Sequence, residues 1–384
     1  MAAIVVVAIA LFTDGFLYGL VIPLIPHLST RPPENWMIGM ISACYALGVI
    51  LAIPFFAYLS DRFGRRRPLL YGGLIQILAI LIFATATHFP LILLARFAQG
   101  IASAATWTIG LALVAETFQR NRARMMGYAM LASTLGLIMG PMMGGKLSDW
   151  HGHSFSFAVT ACLSFLDFVV RWKLIPELPQ KTTTRSELGR LLWDPSVLTA
   201  CAIVILAAWC WSVLESLLPS HLEHVAHTSS SKVGMLFTLS TTIYGLSCPM
   251  VGALTDRYGS EIMMTVGLVA MALILPLIAV PTGSTEVGIL LILISVGYGF
   301  AMDPALSALG SAVERHGGGA YALIYGIYNI AYSVGMVSSD VTSGILASLF
   351  SFKIALWATA IIMLCSLFFF KLNVGKSQKV FEKS

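Results

Sequence analysis

Two carboxylates stand where residues suited to lipid would be expected. Asp14 interrupts LFTDGFLYGLVIPLIP (Leu11–Pro26), inside an apolar run from Ala2 to His27, and Glu215 interrupts VLESLLP (Val213–Pro219). On translocon insertion scales, a carboxylate at the centre of a membrane helix costs roughly 2.5–3.5 kcal/mol, so something must offset each of them. Asp303 and Asp340 add carboxylates to later apolar runs, while Arg96, in ARFAQG (Ala95–Gly100), is the main cation at comparable depth. Acids outnumber bases there. A carboxylate withdrawn from water holds a proton more readily, and a neighbouring cation reverses the effect. Proton and cationic solute can then compete for one group, which is the minimal chemistry of exchange. The bland alternative for each is a satisfied structural polar residue, and for Arg96 an ion pair with an acid on another helix. Asp167, with Arg171 four residues on, reads as a structural pair.

The elements that carry these residues are spans. Of the chain's 384 residues 58% are hydrophobic and 11% charged, against about 25% charged in soluble domains. Apolar stretches close to the ~20 residues a bilayer requires fall at 3–27, 37–59, 68–87, 90–113, 124–148, 154–173, 197–220, 233–254, 262–281, 286–311, 319–347 and 354–371. The expected fold is an all-α integral membrane protein with 12 transmembrane helices in two six-helix halves. The halves are 1–173 and 196–372, joined by a polar loop at 174–195 and followed by a tail at 373–384. The first run has no basic segment before it and no small-residue cleavage site, so it reads as a retained span.

Lysine and arginine set the orientation. One set of loops holds Arg62, Arg65, Arg66, Arg67, Arg120, Arg122, Arg124, the stretch from Arg171 to Arg190, Arg257, Arg315 and the basic tail; the other has little beyond Arg31, Lys146, Lys232 and Lys353. Both termini, the central loop and the tail are therefore expected on the cytoplasmic side. The net charge of +5 resides in short loops between spans, which gives no reason to expect nucleic acid. Six cysteines, all inside apolar runs, argue against a disulfide framework or a metal site, and no cofactor is expected. His27, His88, His151, His153, His221, His224 and His227 fall on the opposite side. They could sense an acidic exterior, or simply be polar loop residues.

The halves repeat: Asp61-Arg62-Phe63-Gly64 follows the second span and Asp256-Arg257-Tyr258-Gly259 the eighth. Duplicated six-span units point to a transporter with its site between the halves. AYLSDRFGRRRPLL (Ala57–Leu70) resembles the signature loop of the major facilitator superfamily, with Ala57 where that family usually has glycine, and GALTDRYG (Gly252–Gly259) resembles its second-half copy. The resemblance implies conformational gating by Asp61, Arg62, Gly64, Arg65, Asp256, Arg257 and Gly259. LGLIMGPMMGGKL in the fifth span, with Gly136, Gly140, Pro141, Gly144 and Gly145, is similar to the motif of antiporter subfamilies and favours export. ARFAQG resembles the family's arginine motif of the fourth span.

The segment PLIP (Pro23–Pro26) and the spacing from Asp14 to Pro23 resemble drug:proton antiporters and vesicular amine transporters. Asp14 and Glu215 then stand where those proteins bind cation and proton, and Asp14 is expected to face a wet cavity. Tyr45 and Asn329 stand where vesicular amine transporters have a lysine and an aspartate. The luminal loop is also short here, so a related exporter of drugs, toxins or secondary metabolites fits better than a neuronal transporter. Candidate proton- and substrate-binding residues are Asp14, Glu215, Asp303, Arg96, Asn329, Tyr45, Tyr18 and Tyr328; Trp107, Trp209, Trp211, Tyr244 and Tyr325 are further aromatics near the expected cavity.

The expected function is secondary active export of a small organic molecule, cationic or lipophilic, in exchange for protons. The protein is expected to act as a monomer in a plasma, vacuolar or vesicular membrane. Alternatives are a proton-coupled importer or uniporter of a nutrient and a non-transporting receptor or scaffold. A membrane enzyme would call for histidine boxes or a buried nucleophile set, and the histidines lie in loops instead.

Overall fold

The computed structural model describes residues 2–28, 34–86, 88–118, 122–175, 193–281, 283–315 and 321–381. These form twelve α-helices in two groups of six. The first group is α1 (Ala2–Val21), α2 (Asn35–Phe63), α3 (Arg66–Thr85), α4 (Phe89–Thr117), α5 (Arg122–His151) and α6 (His153–Leu174). The second is α7 (Pro195–Ala226), α8 (Ser230–Tyr258), α9 (Ser260–Ile274), α10 (Ser284–Arg315), α11 (Tyr321–Leu349) and α12 (Phe352–Phe381). Nine helices among the described residues are long and apolar enough to cross a membrane. Most of the polar central loop, with Arg185 and Arg190, lies outside the described residues, as do Arg31, Arg120 and the last of the tail.

Local chemistry explains the ends. Pro23 and Pro26 terminate α1 early, and the span finishes as a 3-10 turn over Ile22–His27, because proline cannot donate to the helical ladder. α7 starts on Asp194, whose carboxylate accepts from the Ser196 amide at 2.8 Å, with Pro195 in the first turn. The repeated Asp-Arg-x-Gly strings end α2 and α8 in the same manner. Gly64 (φ 77°) and Gly259 (φ 86°) take a left-handed backbone that turns the chain into the next helix.

Lipid tails are as apolar as leucine, so helices in a bilayer associate through close approach of small residues. α5 shows this along one face. A methyl group at Gly136, Gly140 or Gly144 would overlap the carbonyl oxygens of Phe12, Phe16 and Leu20 on α1. On another face Gly145 meets the Ser230 carbonyl of α8, and Gly234 of α8 meets the Pro141 carbonyl. Arg171, counted above with the basic loop residues, is instead fully buried in α6. Its guanidinium is 2.6 Å from Asp167 and donates to Thr106 Oγ1 (3.2 Å) and the Leu69 carbonyl (3.4 Å), joining α6 to α4 and α3.

The halves meet through α2 with α11 and α5 with α8. Helix direction alternates, so the starts of α2, α8 and α12 lie at the end of the bundle opposite the termini, here the far end. Among the described residues, several contacts between the halves lie there. Asn35 Nδ2 donates to the Ala347 carbonyl (3.2 Å), the Trp36 amide to Ser348 Oγ (2.8 Å), the Ser231 amide to Asp149 (3.1 Å), and Thr238 Oγ1 to the Ile138 carbonyl (2.9 Å). Toward the termini, Gly252 of α8 and Gly326 of α11 would have no atom within 4 Å of an added methyl group. Among the described residues, these contacts between the halves seal the far end of the bundle.

Candidate functional site

A cavity lies between the halves beneath the far-end seal. Tyr18, Ile22, Ile25, Ser42, Tyr45 and Arg96 line it from the first half, and Ser212, Glu215, Ser216 and Met336 from the second. Glu215 is 9% exposed, and both of its oxygens are engaged. Tyr18 donates its hydroxyl to Oε2 at 2.5 Å from α1, and Trp211 donates Nε1 to Oε1 at 2.7 Å from one turn earlier on α7. One carboxylate thus ties a residue of the second half to a residue of the first.

Arg96 faces the same space. Its Nη1 donates to Gln99 Oε1 at 2.8 Å, and its guanidinium carbon sits 5.8 Å from the Tyr18 ring centre and 5.6 Å from that of Tyr45. Two aromatic faces and an amide hold this cation. Among the described residues no carboxylate comes within ion-pair distance of it.

Asp14 is 3% exposed and is absent from the cavity wall. Its Oδ2 accepts from Ser103 Oγ (2.8 Å) and Trp107 Nε1 (2.9 Å) on α4. Ser103 in turn lies 2.9 Å from the Tyr45 hydroxyl, which does line the cavity. Tyr18 and Tyr45 pack ring to ring at 5.0 Å, so the hydrogen-bonded set Asp14–Ser103–Tyr45 and the pair Tyr18–Glu215 meet through two packed rings.

The other expected residues form a second group or stand apart. Asp303 on α10 accepts from the Tyr244 hydroxyl at 3.1 Å, lies beside the Cys248 thiol, and is not part of the cavity lining. Tyr328 and Asn329 are half-buried on α11, with Tyr328 in electrostatic reach of Asp303. Trp209 has a buried, unpartnered indole nitrogen. The Tyr325 side chain lies outside the described residues.

At the termini end, the Asp61 side chain also lies outside the described residues. Arg62 donates to the Tyr58 hydroxyl (3.0 Å), Arg65 to Ser60 Oγ (2.6 Å), and Arg257 stacks over the Tyr258 ring at 5.2 Å. Asp256 is exposed.

The motif reading did not single out Ser103, Gln99, Ser42, Ser212, Ser216 or Met336 as site residues. Ser212 and Ser216 carried an available signal: spaced by four residues around Glu215, they share its face of α7.

Comparison with known proteins agrees with this architecture. The model of the Major Facilitator Superfamily matches residues 6–336 and 200–383. A chromaffin granule amine transporter of Rattus norvegicus is 30% identical over 339 residues, covering 86% of this chain and 63% of that protein's length. A probable vesicular acetylcholine transporter-B of Danio rerio is 28% identical over 359 residues, covering 89% of this chain and 73% of that protein. Among solved structures, a bacterial homolog of the human lysosomal transporter Spinster, inward-facing and occupied, has a TM-score of 0.81 at 13% identity, covering 96% of this chain and 95% of that one. The nucleoside transporter NupG has a TM-score of 0.78 at 15% identity, covering 97% and 99%. Those two likenesses speak for the fold.

Proposed function

Because the chain belongs to the Major Facilitator Superfamily, we propose that it moves a small organic cation or lipophilic amine out of the cytoplasm in exchange for protons, by alternating access. The observation that carries this reading is Glu215: a buried carboxylate on the cavity wall, hydrogen-bonded across the two halves by Tyr18. Relatives named as amine and acetylcholine transporters support a cationic cargo. The positive-inside pattern supports a cytoplasmic termini end.

Glu215 can serve both partners of the exchange. Ionised, it attracts an ammonium group into a site walled by the Tyr18 and Tyr45 rings, whose faces also attract cations. Protonated, it no longer does, and its bonds to Tyr18 and Trp211 lose their charge assistance. Loading with cargo or with proton thus changes the force between the halves at one point. Asp14 would feel the same events through Ser103 and Tyr45.

The test is flux in proteoliposomes under a pH gradient, with organic amines as cargo and Glu215→Gln and Asp14→Asn as variants. Acidifying the side opposite the termini should drive amine toward it, and Glu215→Gln should abolish the gradient-driven part. Flux indifferent to the gradient would overturn proton coupling, and flux running with the proton would make the protein an importer.

A further inference from the structure

Asp340 on α11 is 0% exposed and is not part of the cavity wall. Its Oδ1 accepts two hydroxyls of α7, Ser212 at 2.7 Å and Ser216 at 2.5 Å. Among the described residues its buried Oδ2 has no donor, and no lysine or arginine is in ion-pair distance. An ionised carboxylate left half-solvated in a dry interior is heavily penalised; the neutral acid escapes that penalty.

Its location gives the burial a consequence. The backbone of Asp340 is where α2 crosses α11: a methyl group at Gly39 would overlap the Asp340 carbonyl oxygen, and one turn on Gly344 would meet Asn35 and Trp36. This crossing is part of the far-end seal. Ser212 and Ser216, which hold its carboxylate, also line the cavity between the halves, so parting of the far end brings water to the acid's partners and closure leaves it dry. Two conformations that differ in the hydration of one acid differ in their affinity for its proton, and the linkage is reciprocal.

We propose that Asp340 is a proton-binding site which couples closure of the far end to uptake of one proton from that side. The ionisable neighbours are few. Glu215 on α7 and Arg96 on α4 act on Asp340 electrostatically. α2 meets it with Gly39, while Tyr45 and Cys44 lie further along that helix. Asp303 of α10 is engaged with Tyr244, and Lys353 of α12 is exposed. This inference extends the proton-coupled reading to a second acid, and its test needs no cargo, so a failure to find transported solute and a failure of Asp340 are separate results.

The test is a distance between spin labels at Trp150→Cys and Leu349→Cys in the full chain, with the native cysteines replaced. These residues are 63% and 71% exposed and sit at the far ends of α5 and α11, one in each half. Between about pH 8.5 and about pH 5 the parent should pass from long to short distances. Asp340→Asn should show the short distance throughout, with loss of the pH response, and Asp340→Glu should restore a response. A parent that does not respond to pH, or Asp340→Asn that titrates like its parent, overturns the proposal. Sodium replacing potassium at fixed pH should change nothing; a sodium-dependent distance would reassign the site to that ion and overturn the proton. Should Asp340→Asn fail to fold, Ser216→Ala decides the matter. It removes a donor that favours the charged form, so the transition should move to higher pH, and an unmoved transition refutes the assignment.

Discussion

Tyr18 offers its hydroxyl to Glu215 across the boundary between the halves, at 2.5 Å, and Trp211 offers the second donor from within the same helix. Tyr18→Phe removes the cross-half donor and leaves the intrahelical one. A hydrogen bond to a charged group is worth about 1.5–3 kcal/mol net, and one pH unit corresponds to about 1.4 kcal/mol. The bond favours the ionised acid, so its loss should move the pH–flux profile upward by about one to two units. Trp211→Phe should move it in the same direction. A profile unchanged in both variants would show that Glu215 is not the group that titrates during transport. Glu215 was legible in the sequence because an acid in an apolar run carries a cost that demands a reason. Ser103 was not, since serine is also an ordinary packing residue between membrane helices, and Ser212 and Ser216 were marked only by their spacing around Glu215. Asp340 was legible as an acid and illegible as a site. Its partners lie 124 and 128 residues away in the chain, and only the packing of α7 on α11 brings them together.

At the scale of helices, α5 is defined by what its glycines exclude. Gly140→Ala would place a methyl group on the Phe16 carbonyl of α1, an atom that cannot move without its helix. Overpacking of this kind costs about 1–3 kcal/mol, so the purified variant should unfold at a lower temperature than its parent. Gly245→Ala on α8 is the control, because there a methyl group meets only Thr134 Cγ2 at 3.7 Å. Equal melting of the two variants would refute the account of α5. The small-residue spacing of α5 was readable in advance, but its partner helices were not. One stripe of glycines meets α1 and its neighbour Gly145 meets α8, and nothing in the string itself distinguishes those faces. Arg171 teaches the same lesson: the spacing of four from Asp167 announced the ion pair, while its full burial against α3 and α4 came only with the fold.

For the molecule as a whole, the decisive feature is the seal between the halves at the far end. A sequence that alternates between two arrangements encodes both, so no residue pattern could announce which one would be found; the small residues at Gly39, Gly145, Gly234 and Gly344 are simply what permits the far end to close. Alternating access requires that this seal break in every cycle. The Trp36 amide lies 2.8 Å from Ser348 Oγ, which puts the starts of α2 and the end of α11 close enough for a disulfide between Trp36→Cys and Ser348→Cys, given a Cα separation of up to about 7 Å. With the native cysteines replaced, oxidation should stop gradient-driven exchange, and reductant should restore it. Each single variant should be indifferent to oxidant, which separates the cross-link from damage by either substitution. Binding of a cargo cation from the termini end should survive the cross-link, because the cross-link holds only the far end. If the cross-linked protein transported at the rate of its reduced form, the far end would not be a gate, and the cavity beneath it would have to empty by some other route.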